Sequence, residues 1–70
     1  MTAIVLIEDE PAIADTLRFA LEREGFAVAW HALARDGEAA AASADLVILD
    51  IGLPDDSGLE VLKRLRKGSE

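Results

Sequence analysis

Apolar residues come along this chain in short blocks, and blocks of continuous or alternating apolar residues take turns with blocks of helical spacing. Residues 3–7, Ala3-Ile4-Val5-Leu6-Ile7, are continuously apolar and partly β-branched. A run of that kind suits a strand buried on both faces, as in a parallel sheet. The acidic triplet Glu8-Asp9-Glu10 ends it, and Pro11 follows where proline suits the first turn of a helix. Ile13, Leu17, Ala20 and Leu21 then recur at helical spacing and predict one apolar face, with Gly25 as the C-terminal cap. Phe19 lies about 160° around that helix from Leu17 and Leu21. It reads as a scattered surface aromatic or as a seam against a further helix.

Phe26, Val28 and Trp30 alternate with alanines, so residues 26–30 read as a second strand, with Trp30 packing at a sheet edge. Residues 34–42 are alanine-rich and favour helix, although Gly37 weakens the pattern and is expected to delay the start. Leu46-Val47-Ile48-Leu49 predicts a third strand of the fully buried type, and Asp50 stands at its end. Residues 52–58 are rich in turn formers and predict a loop. Leu59, Val61, Leu62 and Leu65 continue as a helix ending near Gly68, with Arg64, Arg66 and Lys67 placed to favour its macrodipole. The order β-α-β-α-β-α predicts an α/β fold: a parallel sheet covered by helices, joined by right-handed crossovers.

Size and charge narrow the function. A chain of 70 residues is at most one small domain; a compact domain of this size buries only roughly 60% of its unfolded surface. It has no cysteine, which fits a reducing compartment. Seven basic against fourteen acidic residues give a net charge of -7, which argues against direct binding to DNA or an anionic membrane. The apolar runs fall far short of the ~20 residues that cross a bilayer. The early acidic triplet interrupts anything like a signal peptide, so a cytoplasmic chain is expected. His31 has no partner at ligand spacing and reads as a surface or structural residue.

The chemistry lies in the acidic residues at the strand ends. In open α/β sheets, ligands sit beyond the carboxyl ends of the strands. Glu8 and Asp9 follow the first strand and Asp50 follows the third. If those strands are neighbours, the carboxylates converge. Two unit charges about 4 Å apart repel by roughly 1 kcal/mol in water and about 4 kcal/mol at an effective dielectric of 20. A hard divalent cation, Mg2+ above all, relieves that repulsion. A carboxylate beside bound Mg2+ can then act as a nucleophile toward a phosphoryl donor. Acidic residues at strand ends are often only solvated caps, so it is the combination at two strand ends that carries weight.

These residues resemble a known family. Ile4-Val5-Leu6-Ile7-Glu8-Asp9-Glu10-Pro11 resembles the first strand and acidic pocket of bacterial two-component response-regulator receiver domains, which are CheY-like. Residues 47–58, Val47-Ile48-Leu49-Asp50 through Ser57-Gly58, resemble their phosphorylation-site segment. Ala14-Asp15-Thr16-Leu17 and Glu24-Gly25-Phe26-Ala27-Val28 resemble the OmpR/PhoB-type subfamily, whose output domain is a DNA-binding winged helix. The resemblance implies a flavodoxin-like doubly wound sheet, of which this chain holds strand order 2-1-3. It implies Asp50 as phosphoacceptor, Asp9 as a direct Mg2+ ligand, Glu8 supporting the ion through water, and the Gly52 carbonyl as a further ligand. Leu53, Pro54 and Gly58 would shape the loop. Ala12, Ile13 and Thr16 would help to dock a sensor histidine kinase, the phosphodonor, though Ile13 reads more simply as core. The module would signal rather than act as an enzyme.

The departure from the family pattern is large. Complete receivers carry two further strands, with a Ser or Thr on the fourth and a Lys on the fifth, and no position here matches either. The chain is therefore expected to be residues 1–70 of a longer regulator, or else a degenerate remnant; the intact motifs favour the former. DNA would be reached only through an output domain. The third strand would present an open apolar edge, so self-association through Leu46 to Leu49 is expected. Two other readings stay open: a non-phosphorylated interaction fragment of the same fold, and a Mg2+-dependent phosphohydrolase-type domain. The second fits poorly, because Asp9-Glu10-Pro11 breaks the Asp-x-Asp pattern. A nucleotide-binding module lacks its glycine-rich motif.

Overall fold

The computed structural model describes residues 2–50, 55 and 57–69. They form β1 (Ala3–Ile7), α1 (Pro11–Arg23), β2 (Ala27–His31), α2 (Ala34–Ala41), β3 (Leu46–Leu49) and α3 (Gly58–Ser69). The sheet is parallel in the order β2-β1-β3. The most apolar strand takes the middle: Ile4 to Ile7 are all buried. Val5 and Ile7 face Ala34 of α2 and Val61 of α3, with Val47, Leu49 and Leu65 packed around them. Ile4 and Leu6 point to the opposite face, as the two-residue period of a strand requires. There they are equally buried, on the side where α1 runs along β2.

The face that α1 buries differs from the expected one. Ala14 is buried and Leu17 and Leu21 are half-buried, whereas Ile13 and Ala20 are exposed. At about 100° per residue, Ala14, Leu17 and Leu21 share one narrow stripe, and Ile13 falls roughly 70° from its centre. Ile13 is therefore not core: it is 48% exposed. Phe19 lies on the far side, 65% exposed, with the Arg23 guanidinium 5.8 Å over its ring.

Local chemistry explains the other boundary shifts. Gly25 has φ 94° and closes α1 in a Schellman motif. Its N–H donates to the Glu22 carbonyl at 3.1 Å, and the Phe26 N–H donates to the Leu21 carbonyl at 3.2 Å. Phe26 thus belongs to the cap, and β2 begins at Ala27 rather than at residue 26. Gly37 does not delay α2, which starts at Ala34. A Cβ at Gly37 would collide with the Ile7 side chain, so glycine is what lets the helix lie on β1. Gly58, expected in the loop, is buried in the first turn of α3. Farther along α3, Val61 is fully buried, while Leu59 and Leu62 are exposed. β3 is not fully buried either: Leu46 is 52% exposed and the rest half-buried. The cause is that, among the described residues, β3 has a neighbouring strand on one side alone. Arg64, expected to serve the α3 macrodipole, instead grips Glu38 of α2, with Nε 2.9 Å from Oε2 and Nη2 2.8 Å from Oε1.

Candidate metal centre

The strand register delivers the acidic residues to one place. Ile7 pairs with Leu49 on one side and with His31 on the other. The ladder then runs one step further. The Asp50 N–H donates to the Ile7 carbonyl at 2.9 Å, and the Glu8 N–H donates to the His31 carbonyl at 3.1 Å. Glu8 and Asp50 therefore leave β1 and β3 side by side. Carboxylate oxygens of Glu8, Asp9 and Asp50 lie within 4.8 Å of one another. Glu8 is buried, and Asp9 and Asp50 are half-buried.

The charges do not sit comfortably there. Burial pushes the Glu8 carboxyl above its usual range. A hydrogen bond from the Glu10 N–H to Glu8 Oε2, 3.2 Å long, pulls it back in part. The negative charge of Asp50 and side-chain hydrogen bonds with Asp9 and Asp50 raise it again. Carboxylates crowded together in this way make a place that a cation can occupy. The donors are all hard oxygens, which fits a Mg2+-like ion and does not fit a softer metal. Asp9, Asp50 and Glu8 are the side chains that could hold it.

The other expected site residues fall as follows. Ala12, Ile13 and Thr16 are exposed on the first turns of α1, and the Thr16 hydroxyl donates to the Ala12 carbonyl at 2.9 Å. Gly58 starts α3. Gly52, Leu53 and Pro54 lie outside the described residues. A cleft of about 670 Å³, lined by Glu38, Ala41, Leu46, Arg64 and Leu65, opens at the far end of β3 and includes none of the clustered carboxylates.

Two residues near the site escaped the sequence reading. The indole N–H of Trp30 donates to the main-chain carbonyl of Glu8 at 2.7 Å. The carboxylate of Asp55 receives the N–H groups of Ala34 and Arg35, at 2.7 Å and 3.1 Å, and so caps α2. The residue at the N-cap position itself, Leu33, has no side chain able to do this. Both contacts join a side chain to a main-chain atom more than a dozen residues away, which no local spacing reveals.

Comparison with known proteins agrees with this geometry. The sequence profile of the response regulator receiver domain matches residues 4–70. The KDP operon transcriptional regulatory protein KdpE of Escherichia coli is 45% identical over 71 residues, covering 99% of this chain and 32% of the relative. The chain thus spans about a third of that curated relative. The response regulator TrrA of Thermotoga maritima, in complex with Mg(2+)-BeF, superposes with a TM-score of 0.90 at 36% identity, over 97% of this chain and 61% of that one. A chain from the complex of the histidine kinase ThkA with TrrA superposes with a TM-score of 0.88 at 38% identity, over 96% of this chain and 60% of that one. Among the described residues no helix is long and apolar enough to cross a membrane. With a parallel sheet in the order 2-1-3, acidic residues at the ends of its first and third strands and a family profile that spans nearly all its length, the chain belongs to the response regulator receiver domain family.

Proposed function

We propose that this chain is the phosphoacceptor module of a two-component response regulator, and that Asp50 receives a phosphoryl group from a phosphohistidine of a sensor histidine kinase. The observation that carries this reading is the meeting of Glu8, Asp9 and Asp50 within 4.8 Å at the carboxyl ends of neighbouring strands. The residues fit Mg2+: Asp9 and Asp50 would hold it directly, Glu8 through water, and the Gly52 carbonyl would add a ligand. When bound, the ion supplies positive charge that offsets both the carboxylates and an incoming phosphoryl group. An oxygen of Asp50 attacks the phosphorus, the P–N bond to the donor histidine breaks, and its electron pair stays with the imidazole. The product is an acyl phosphate on Asp50.

The kinase would dock beside the pocket, on the α1 surface that exposes Ala12, Ile13 and Thr16. TrrA, a relative, forms a complex with the kinase ThkA, which supports a partner of that kind. KdpE, another relative, is a transcriptional regulator of about three times this span, so the parent protein is read as a cytoplasmic transcription regulator that reaches DNA through a separate output domain. A chain of these 70 residues would also associate with itself through the outer edge of β3. The test is intact mass after incubation with Mg2+ and acetyl phosphate. A phosphoryl adduct that vanishes in Asp50→Asn supports the reading. No adduct here, nor in a chain extended over the whole receiver, sinks it.

A further inference from the structure

We propose that Trp30 is a positioning residue for the divalent-ion site, acting by its indole hydrogen bond to the Glu8 carbonyl, and that its indole therefore reports ion binding. The inference rests on the metal reading above. β1 ends at Ile7, so the peptide groups of the next residue are no longer held between two strands. The end of β2 takes over. The carbonyl of His31 accepts the Glu8 N–H at 3.1 Å, and the indole Nε1–H of Trp30 donates to the Glu8 carbonyl at 2.7 Å. Both main-chain groups of Glu8 are thus held by two adjacent residues of β2.

The consequence reaches Asp9 through covalent geometry. The Glu8 carbonyl, the Asp9 N–H and the Asp9 Cα share one peptide plane. An anchor on that carbonyl fixes the plane, and with it the direction from which the Asp9 side chain leaves the backbone. Glu8 and Asp9 both belong to the carboxylate cluster, so one hydrogen bond bears on two of its members. Trp30 is itself half-buried, and register places it beside Leu6 on an outer strand of the sheet. Outer-shell hydrogen bonds of this sort commonly change metal affinity by about 10–100-fold. Acting through the main chain, this one is expected at the low end.

Trp30 is the one tryptophan of the 70 residues, so its emission is unambiguous. The experiment titrates Mg2+ into the wild type and into Asp9→Asn, Trp30→Phe and Trp30→Tyr, by calorimetry and by circular dichroism, with indole emission followed where Trp30 is retained. The expected result has three parts. Wild-type emission changes with the calorimetric midpoint, Asp9→Asn abolishes that change, and both Trp30 variants bind Mg2+ about tenfold more weakly while keeping wild-type secondary structure. Unchanged Mg2+ affinity in the folded variants overturns the proposal, even if they melt earlier, because a packing role alone would do that. Should the variants not fold, the wild-type emission decides: calorimetric binding with a silent indole overturns the proposal and leaves the metal reading intact. No calorimetric binding to the wild type removes the metal reading and this proposal together.

Discussion

Asp55 reaches back to Ala34 and caps α2 across 21 residues of chain, its Oδ1 accepting the Ala34 N–H at 2.7 Å. Its second oxygen accepts the Arg35 N–H at 3.1 Å. The connection that begins at Asp50 is in this way tied to the helix lying over Ile7. The Ala34 hydrogen bond holds the Asp55 carboxyl below its ordinary value of 3.8; partial desolvation opposes this, and the Arg35 amide and guanidinium reinforce it.

Loss of the cap should appear as a pH-dependent loss of stability. A folded-state value below the unfolded one means that the contribution is fully present above the unfolded value and is lost as pH falls through the folded value. Asp55→Ala should lower Tm by about 5 °C at neutral pH, and Asp55→Asn, which keeps one acceptor, by less. The wild-type and Asp55→Ala melting temperatures should converge as the pH is taken below 3.8. A difference that stays constant through that range would show that the carboxylate is not the cap.

Glu8 carries the opposite sign. Its carboxyl is raised above 4.5 by burial first and by the Asp50 charge as well. A raised value favours folding below the unfolded pKa and loses that contribution as pH rises through the folded one. Without metal, Glu8→Gln should therefore match the wild type in acid and melt above it at neutral pH. With saturating Mg2+ the order should reverse, since the variant should bind the ion about tenfold more weakly. Thermal melts with and without Mg2+ across the pH range check both halves; a Glu8→Gln variant that is less stable even without metal would refute the strained-cluster account.

At Gly37 two effects compete. Alanine favours helix over glycine by about 1 kcal/mol. A Cβ there meets the wholly buried Ile7 side chain, and overpacking a core costs about 1–3 kcal/mol. The collision should win, so Gly37→Ala should destabilise by about 1 kcal/mol net. Combined with Ile7→Val, which shortens the opposing side chain, it should cost less than the sum of the two single changes. Denaturant titration of the cycle measures this, and strict additivity would remove the contact from the explanation.

What the sequence made readable, and what it hid, follows from how each residue acts. The strands announced themselves because their apolar runs are short and unbroken, while the middle place of β1 followed from the family resemblance and not from its run, since β3 shows the same kind of run at the sheet edge. Glu8, Asp9 and Asp50 could be found because strand ends are fixed places in an α/β sheet. Ile13 was misplaced because a spacing rule weighs a large exposed residue above Ala14, whose small side chain is what lets α1 approach the sheet. Gly37 was misread because propensity is local and its reason, Ile7, lies thirty residues earlier in the chain. Trp30 and Asp55 act on main-chain atoms of other elements, and a main-chain partner leaves no mark in the sequence.

The outer edge of β3 supplies the last prediction. β3 pairs with β1, no described strand lies on its other side, and Leu46 is 52% exposed at its start. An apolar edge with free peptide groups recruits further strands, and nature commonly blocks such edges with a charge. A chain of these 70 residues should therefore show an average mass that rises with concentration in sedimentation equilibrium, and Leu46→Lys should return it toward the monomer. The net charge of -7 on each copy opposes the contact, so added salt should strengthen association in the wild type. An ion-pair interface would weaken under the same treatment, which separates the two causes. A concentration-independent monomer mass at high salt would mean that the edge is protected by something other than charge repulsion, and the strand-pairing account would have to be given up.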